Sequence, residues 1–187
     1  STTKFTLSYI GVLEQLRNPE ILWETLNDLV QENADFKNDF QLKFVGRLDD
    51  KILQKIESSA LKNNLTNLGY QTHDVALKHM QDSTVLLMTN FPQESSKGII
   101  PGKIFEYLAT GKTILSFGPK DADVEKILIE TKAGKHFGYD EKENLKKFIL
   151  ESYENWKSGT LNQNAENIEQ FSRKNLTQKL VDLMNKI

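Results

Sequence analysis

At 187 residues, with 38% hydrophobic residues and no Pro/Gly/Ser-rich linker, the chain can bury one sizeable core, which points to a single domain over residues 1–187 rather than an array or a disordered segment. A net charge of −2, with acids and lysines interspersed, leaves no basic footprint for nucleic acid, and the absence of cysteine removes disulfides and thiolate metal ligation. No apolar run reaches the roughly 18 residues that span a bilayer and the N-terminus has no signal-peptide pattern, so a soluble, cytoplasmic protein is expected; the start at Ser1-Thr2-Thr3 suggests a piece of something longer.

Phe5 to Ile10 alternates as a first strand and turns at Gly11. Asn18 as N-cap and Pro19 at the first helical position then open a helix with Leu22, Leu26, Leu29 and Val30 at helical spacing, running to about Glu32 or Asn33. A second strand, Phe40 to Val45, stops at Gly46, and a helix from about Asp50 carries Ile52, Leu53, Ile56 and Ala60. Asn64 to Leu68 is a weaker third strand ending at Gly69. Thr72 caps a short helix with Val75, Ala76 and Met80 inward, and Val85 to Met88 is a continuous apolar run suited to a central parallel strand.

The stretch from Gly98 to Lys112 predicts a loop, a short helix and a stop at Gly111, followed by a strand over Thr113 to Phe117. A helix from about Asp121 to Thr131, a stop at Gly134 and a last strand near Lys135 to Phe137 come next. Helical stretches over about 141–157 and 172–186 close the chain, the latter with Leu176, Leu180, Val181 and Met184 in a stripe. Six strands alternating with helices predict an α/β fold: a doubly wound, six-stranded parallel sheet of Rossmann-like type, whose ligands bind beyond the carboxyl ends of the strands. The loops after strands one, two and four are therefore the candidate site.

On a helical wheel, Ile104, Phe105, Leu108 and Ala109 share one side of the short helix, leaving Lys103, Glu106, Tyr107 and Thr110 opposite to carry chemistry. Gly102 lets a ligand approach the free N–H groups of the first turn, an anion site that Lys103 reinforces. The plainer alternative is a solvated i, i+3 ion pair between Lys103 and Glu106. Arg17 beside the first helix and Arg47 after Gly46 offer further phosphate contacts, each with an ordinary structural alternative, and Tyr70 offers a stacking surface for a base. His73, His79 and His136 lack metal-ligand spacing, so no metal site is expected, and His136 reads as structural. A phosphoacceptor receiver, also doubly wound, would need acidic residues after strand one, where Gly11-Val12-Leu13 has none.

Tyr9-Ile10-Gly11, Phe44-Val45-Gly46-Arg47, Leu68-Gly69-Tyr70, Asp82 to Met88 and above all Pro101 to Leu115 resemble, in this order, the C-terminal half of a GT-B glycosyltransferase of the large retaining "group one" family. The resemblance implies a nucleoside-diphosphate-sugar-binding domain, with Glu106 as the second Glu of the family's E-x7-E motif, holding the ribose hydroxyls. The first Glu of that motif falls at Gly98, and the basic residue usual after the first strand's glycine falls at Val12, while the second basic position matches Arg17. By resemblance, Arg17 and Lys103 act on the leaving diphosphate, and Gly11, Gly46, Arg47, Tyr70, Gly102 and Glu106 bind the nucleotide sugar. No cofactor or divalent metal is implied. The partner is a missing N-terminal domain, which the closing helix over residues 171–187 would face and through which any peripheral membrane contact would be made. A nucleotide-sugar epimerase of the same fold and a non-catalytic nucleotide-binding module are the alternatives.

Overall fold

The computed structural model describes residues 3–161 and, near the C-terminus, residues 178, 181, 182 and 184–186. Six strands, β1 (Phe5–Ile10), β2 (Phe40–Val45), β3 (Leu65–Asn67), β4 (Val85–Thr89), β5 (Thr113–Phe117) and β6 (Gly134–Phe137), form one sheet in the order β3-β2-β1-β4-β5-β6. Every neighbouring pair is parallel, with Phe5 opposite Phe40 and Leu7 opposite Val85. The doubly wound architecture expected from the sequence is therefore present, and its switch point lies between β1 and β4.

Strand periodicity divides the core in two. Phe5, Leu7 and Tyr9 of β1, Val85 and Leu87 of β4, and Leu115 and Phe117 of β5 face one side, where they join residues of α1 (Glu20–Glu32), α2 (Ala34–Asp39), α3 (Asp50–Glu57) and α7 (Lys142–Lys157). Ile10, Leu86, Met88 and Ile114 face the other, against α4 (His73–Gln81), α5 (Lys103–Thr110) and α6 (Asp123–Thr131). β1 and β4 are buried along their whole length; β4 reads accordingly as a continuous apolar run over Val85 to Met88, whereas β1 also buries Thr6 and Ser8.

Several local expectations are corrected. Pro19, not Asn18, is the N-cap of α1, because the Asn18 side-chain oxygen accepts from the Trp23 indole at 2.6 Å. The short α2 has no counterpart in the sequence reading; the Asn33 side chain caps it by accepting from the Phe36 N–H at 3.0 Å. Thr72 stands at the N-cap of α4 without a side-chain bond, and Val75 is exposed while Met80 is buried. α6 begins at Asp123 and ends before Lys132, which takes the left-handed conformation. Gly134 starts β6, where a Cβ would stand 1.9 Å from the Ile114 carbonyl oxygen. Of the expected closing stripe, Leu176 and Leu180 lie outside the described residues, and Val181 and Met184 are exposed. No helix among the described residues is long and apolar enough to cross a membrane.

Candidate functional site

The carboxyl ends of β1, β2 and β3 each run into a glycine of positive φ: Gly11 (+123°), Gly46 (+124°) and Gly69 (+66°). They are stitched together, the Gly11 N–H donating to Val45 O and the Gly46 N–H to Gly69 O, both at 2.8 Å. A Cβ at Gly46 would stand 2.2 Å from Gly11 O, so this glycine is required by its neighbour in the fold, whatever else it touches. Beyond them the loops continue as a short parallel bridge, with the Leu13 N–H donating to Arg47 O at 2.9 Å. The Arg47 side chain is exposed and has no partner among the described residues.

At the switch point two cations converge. Lys103, first residue of α5, donates from Nζ to Ile10 O at 2.6 Å and stands 4.6 Å over the Tyr9 ring. A Cβ at Gly11 would stand 2.8 Å from the same Nζ, so Gly11 makes room for the ammonium. Arg17 lies in a single 3₁₀ turn, Gln15–Arg17, and turns back from the start of α1: its Nη2 donates to Val12 O at 2.8 Å and its guanidinium lies 5.7 Å over the Phe91 ring. Arg17 Nε is buried without an acceptor. Burial, then the Arg17 charge, brings the Lys103 pKa down to about 8, against an opposing pull from Glu106. Among the described residues neither cation is paired with a carboxylate.

The alternative reading, an ion pair between Lys103 and Glu106, is not realised. Glu106, half-buried one turn further along α5, instead faces His73 Nε2 at 3.6 Å, at the start of α4. The wheel assignment of α5 is also corrected: Ile104, Tyr107 and Leu108 are buried, while Phe105 is 38% exposed. Tyr107 has an apolar ring, and its hydroxyl finds a main-chain acceptor, Leu87 O, at 3.1 Å, so it packs where a polar label would expose it. Burial raises its pKa far above the ordinary tyrosine range. Gly102 has an ordinary helical conformation and open space where a Cβ would project. Tyr70, at the far end of β3, is 86% exposed.

Thus the structure brings Arg17, Lys103 and Gly11 together, places Glu106 beside them on α5, and leaves Arg47 and Tyr70 on the rim. His136 is held on both ring nitrogens, Nε2 donating to Pro119 O at 2.9 Å and Nδ1 accepting from the Ser116 hydroxyl at 2.8 Å, as a structural residue should be. Residues to which the sequence assigned no role in the site also shape the rim: Tyr9 beneath Lys103, His73 against Glu106, and Asn90, Phe91 and Tyr139 around Arg17. Only tertiary proximity distinguishes these from ordinary core and loop residues. No cluster of His, Cys, Asp or Glu among the described residues is arranged to hold a metal ion.

No family model matches the chain, and no curated protein matches it. Solved structures do. The chain is similar to WaaG, a glycosyltransferase involved in lipopolysaccharide biosynthesis (TM-score 0.71, 17% identity, 100% of this chain and 46% of that one). It is similar to Anabaena HepE in complex with UDP (0.69, 16%, 99% and 50%) and to TarM of S. aureus (0.66, 19%, 98% and 36%). The fold is that of the C-terminal half of a GT-B glycosyltransferase, and the chain spans half or less of the length of these structures.

Proposed function

We propose that this chain is the donor-binding domain of a glycosyltransferase, which moves a sugar from a nucleoside-diphosphate sugar to an acceptor held by a second domain. One observation carries the reading: two cations from different elements, Arg17 bonded to Val12 O and Lys103 bonded to Ile10 O, lie at the switch point of the sheet near enough for the Arg17 charge to lower the Lys103 pKa, and neither forms an ion pair with a carboxylate among the described residues. Like charges held this close are costly unless an anion joins them, and the first turn of α5 adds its N–H groups and dipole at the same place.

In the transfer, the bond between the sugar's anomeric carbon and the β-phosphate oxygen breaks, and the acceptor oxygen bonds to that carbon while its proton passes to the departing diphosphate. Negative charge grows on the departing diphosphate. Fixed positive charge there stabilises the transition state more than the ground state, which is the role of Arg17 and Lys103. Glu106 accepts from the ribose hydroxyls, Gly102 leaves space for the phosphates, Gly11 and Gly46 shape the floor, and Tyr70 and Arg47 meet the base and outer edge. In this reading the charge is supplied by side chains and the α5 dipole without a divalent metal. The fold similarity to HepE, solved with UDP, supports the choice of nucleotide class.

Calorimetric titration of the chain with UDP, GDP and uridine tests this. A nucleoside diphosphate should bind far more tightly than uridine, and Arg17→Ala should remove most of that difference. Equal affinity for UDP and uridine would remove the phosphate site.

A further inference from the structure

We propose that Tyr139 and Asn90 are positioning residues that fix Arg17 for the diphosphate, an inference that rests on the reading of Arg17 given above. Three loops that are remote in sequence meet at these residues. Tyr139 lies two residues beyond β6, at the edge of the sheet, and reaches back across the end of β5, with its ring 5.7 Å from that of Phe117. Its hydroxyl shares its one proton between Asn90 O, the closer acceptor, and Arg17 O at 3.3 Å, so one side chain joins the loops after β6, β1 and β4. Burial raises the Tyr139 pKa well above the ordinary tyrosine range, so the hydroxyl keeps its proton and remains a donor.

Asn90 extends the same network. It is 6% exposed, and its Nδ2 donates to Ile99 O at 3.1 Å and Ser96 O at 3.4 Å, while its Oδ1 accepts from the Phe91 N–H at 2.9 Å. The loop that leads from β4 to the N-terminus of α5 is therefore tied at three points to one buried amide, and the Ser96 hydroxyl ties it further at Phe91 O. Phe91, fixed by that bond, supplies the ring face over the Arg17 guanidinium. Arg17 is thus held from two sides, its main chain by Tyr139 and its side chain by Phe91, and both holds lead to Asn90. A long, rotamer-rich side chain that is already ordered loses less entropy when it meets a ligand, and this is what such scaffolding contributes to affinity. None of these three residues lies among the groups proposed to touch the nucleotide.

Binding of UDP and of uridine to the wild type, Tyr139→Phe, Arg17→Ala and the double variant tests the inference. Tyr139→Phe removes one oxygen and should weaken UDP binding about five- to tenfold, the effect of one buried hydrogen bond, with uridine unchanged. In the Arg17→Ala background it should have no further effect, because it acts through Arg17. Phe91→Leu, which removes only the ring face, should give the same selective loss. Unchanged UDP affinity in both variants, equal loss of UDP and uridine, or the same factor in the Arg17→Ala background would overturn the inference alone. A wild-type chain with no measurable preference for UDP over uridine would overturn the diphosphate reading and this inference with it.

Discussion

The Lys103 ammonium is tied to the Ile10 main-chain carbonyl at 2.6 Å and fills the space that a side chain at residue 11 would need. This contact joins the first turn of α5 to the end of β1 across the switch point. It also buries the amine enough to bring its pKa to about 8, with Arg17 contributing.

The pH dependence of binding follows from that. Below about pH 8 Lys103 is protonated and attracts the diphosphate; above it the charge is lost. UDP affinity should fall as pH rises from 7 to 9, with proton uptake on binding near pH 8, read by calorimetry in buffers of different ionisation enthalpy. Lys103→Met should abolish both effects. In the absence of ligand the linkage has the opposite consequence. The unfolded chain holds the Lys103 proton up to the ordinary lysine range, so Lys103's contribution to stability rises with pH through the window above about 8.

Glu106→Gln should weaken UDP binding about tenfold or more while leaving pyrophosphate affinity unaltered, since hydrogen bonds to a charged group are worth roughly 1.5–3 kcal/mol each. His73 faces the same carboxylate at 3.6 Å, so His73→Ala is the informative companion. It should leave UDP affinity equal or slightly improved by freeing Glu106 for the ribose. Retention of full affinity by Glu106→Gln would confine Glu106 to its contact with His73.

Two glycine substitutions should separate fold from site. Gly46→Ala meets Gly11 O at 2.2 Å in a conformation of φ +124°, and should cost about 2 kcal/mol or more, lowering the melting temperature by roughly 4–8 °C. Gly102→Ala meets nothing within 4 Å in a helical conformation, so stability should be unchanged or slightly raised. If the diphosphate sits where proposed, Gly102→Ala should nevertheless weaken UDP binding. Thermal melts paired with UDP titrations read both effects.

The orientation of α5 is testable by itself. Tyr107 is fully buried and bonded to Leu87 O, whereas Phe105 is 38% exposed, so Tyr107→Ala should cost about 3–5 kcal/mol and Phe105→Ala under about 1 kcal/mol. Denaturant unfolding of the two variants would show it. Equal costs would restore the wheel assignment.

Dialysis of the chain against EDTA should leave UDP affinity unaltered, because Arg17, Lys103 and the α5 dipole supply the positive charge in the proposed site. A loss that magnesium restores would require a metal in the complex.

The residue pattern alone made the strands, their parallel pairing and the two-sided burial legible. Val85 to Met88 is apolar without interruption because both faces of β4 are covered, and each of the first three strands is followed within two residues by a glycine because the chain turns there with positive φ. It also marked Arg17, Lys103 and Glu106 as residues with chemistry to offer. What each of them touches depends on contacts between distant parts of the chain. An eight-residue helix has too few turns to fix its own face, so whether Phe105 or Tyr107 is buried depends on the strands beneath it, where the Leu87 carbonyl lies within reach of the Tyr107 hydroxyl. Arg17 could have lain against the start of α1. It turns instead toward Val12 and Phe91, where the loops after β4 and β6, brought there by crossovers, meet it. Contacts between residues about 70 to 120 positions apart leave no periodic trace in a single chain, since periodicity records only the face a residue shares with its near neighbours.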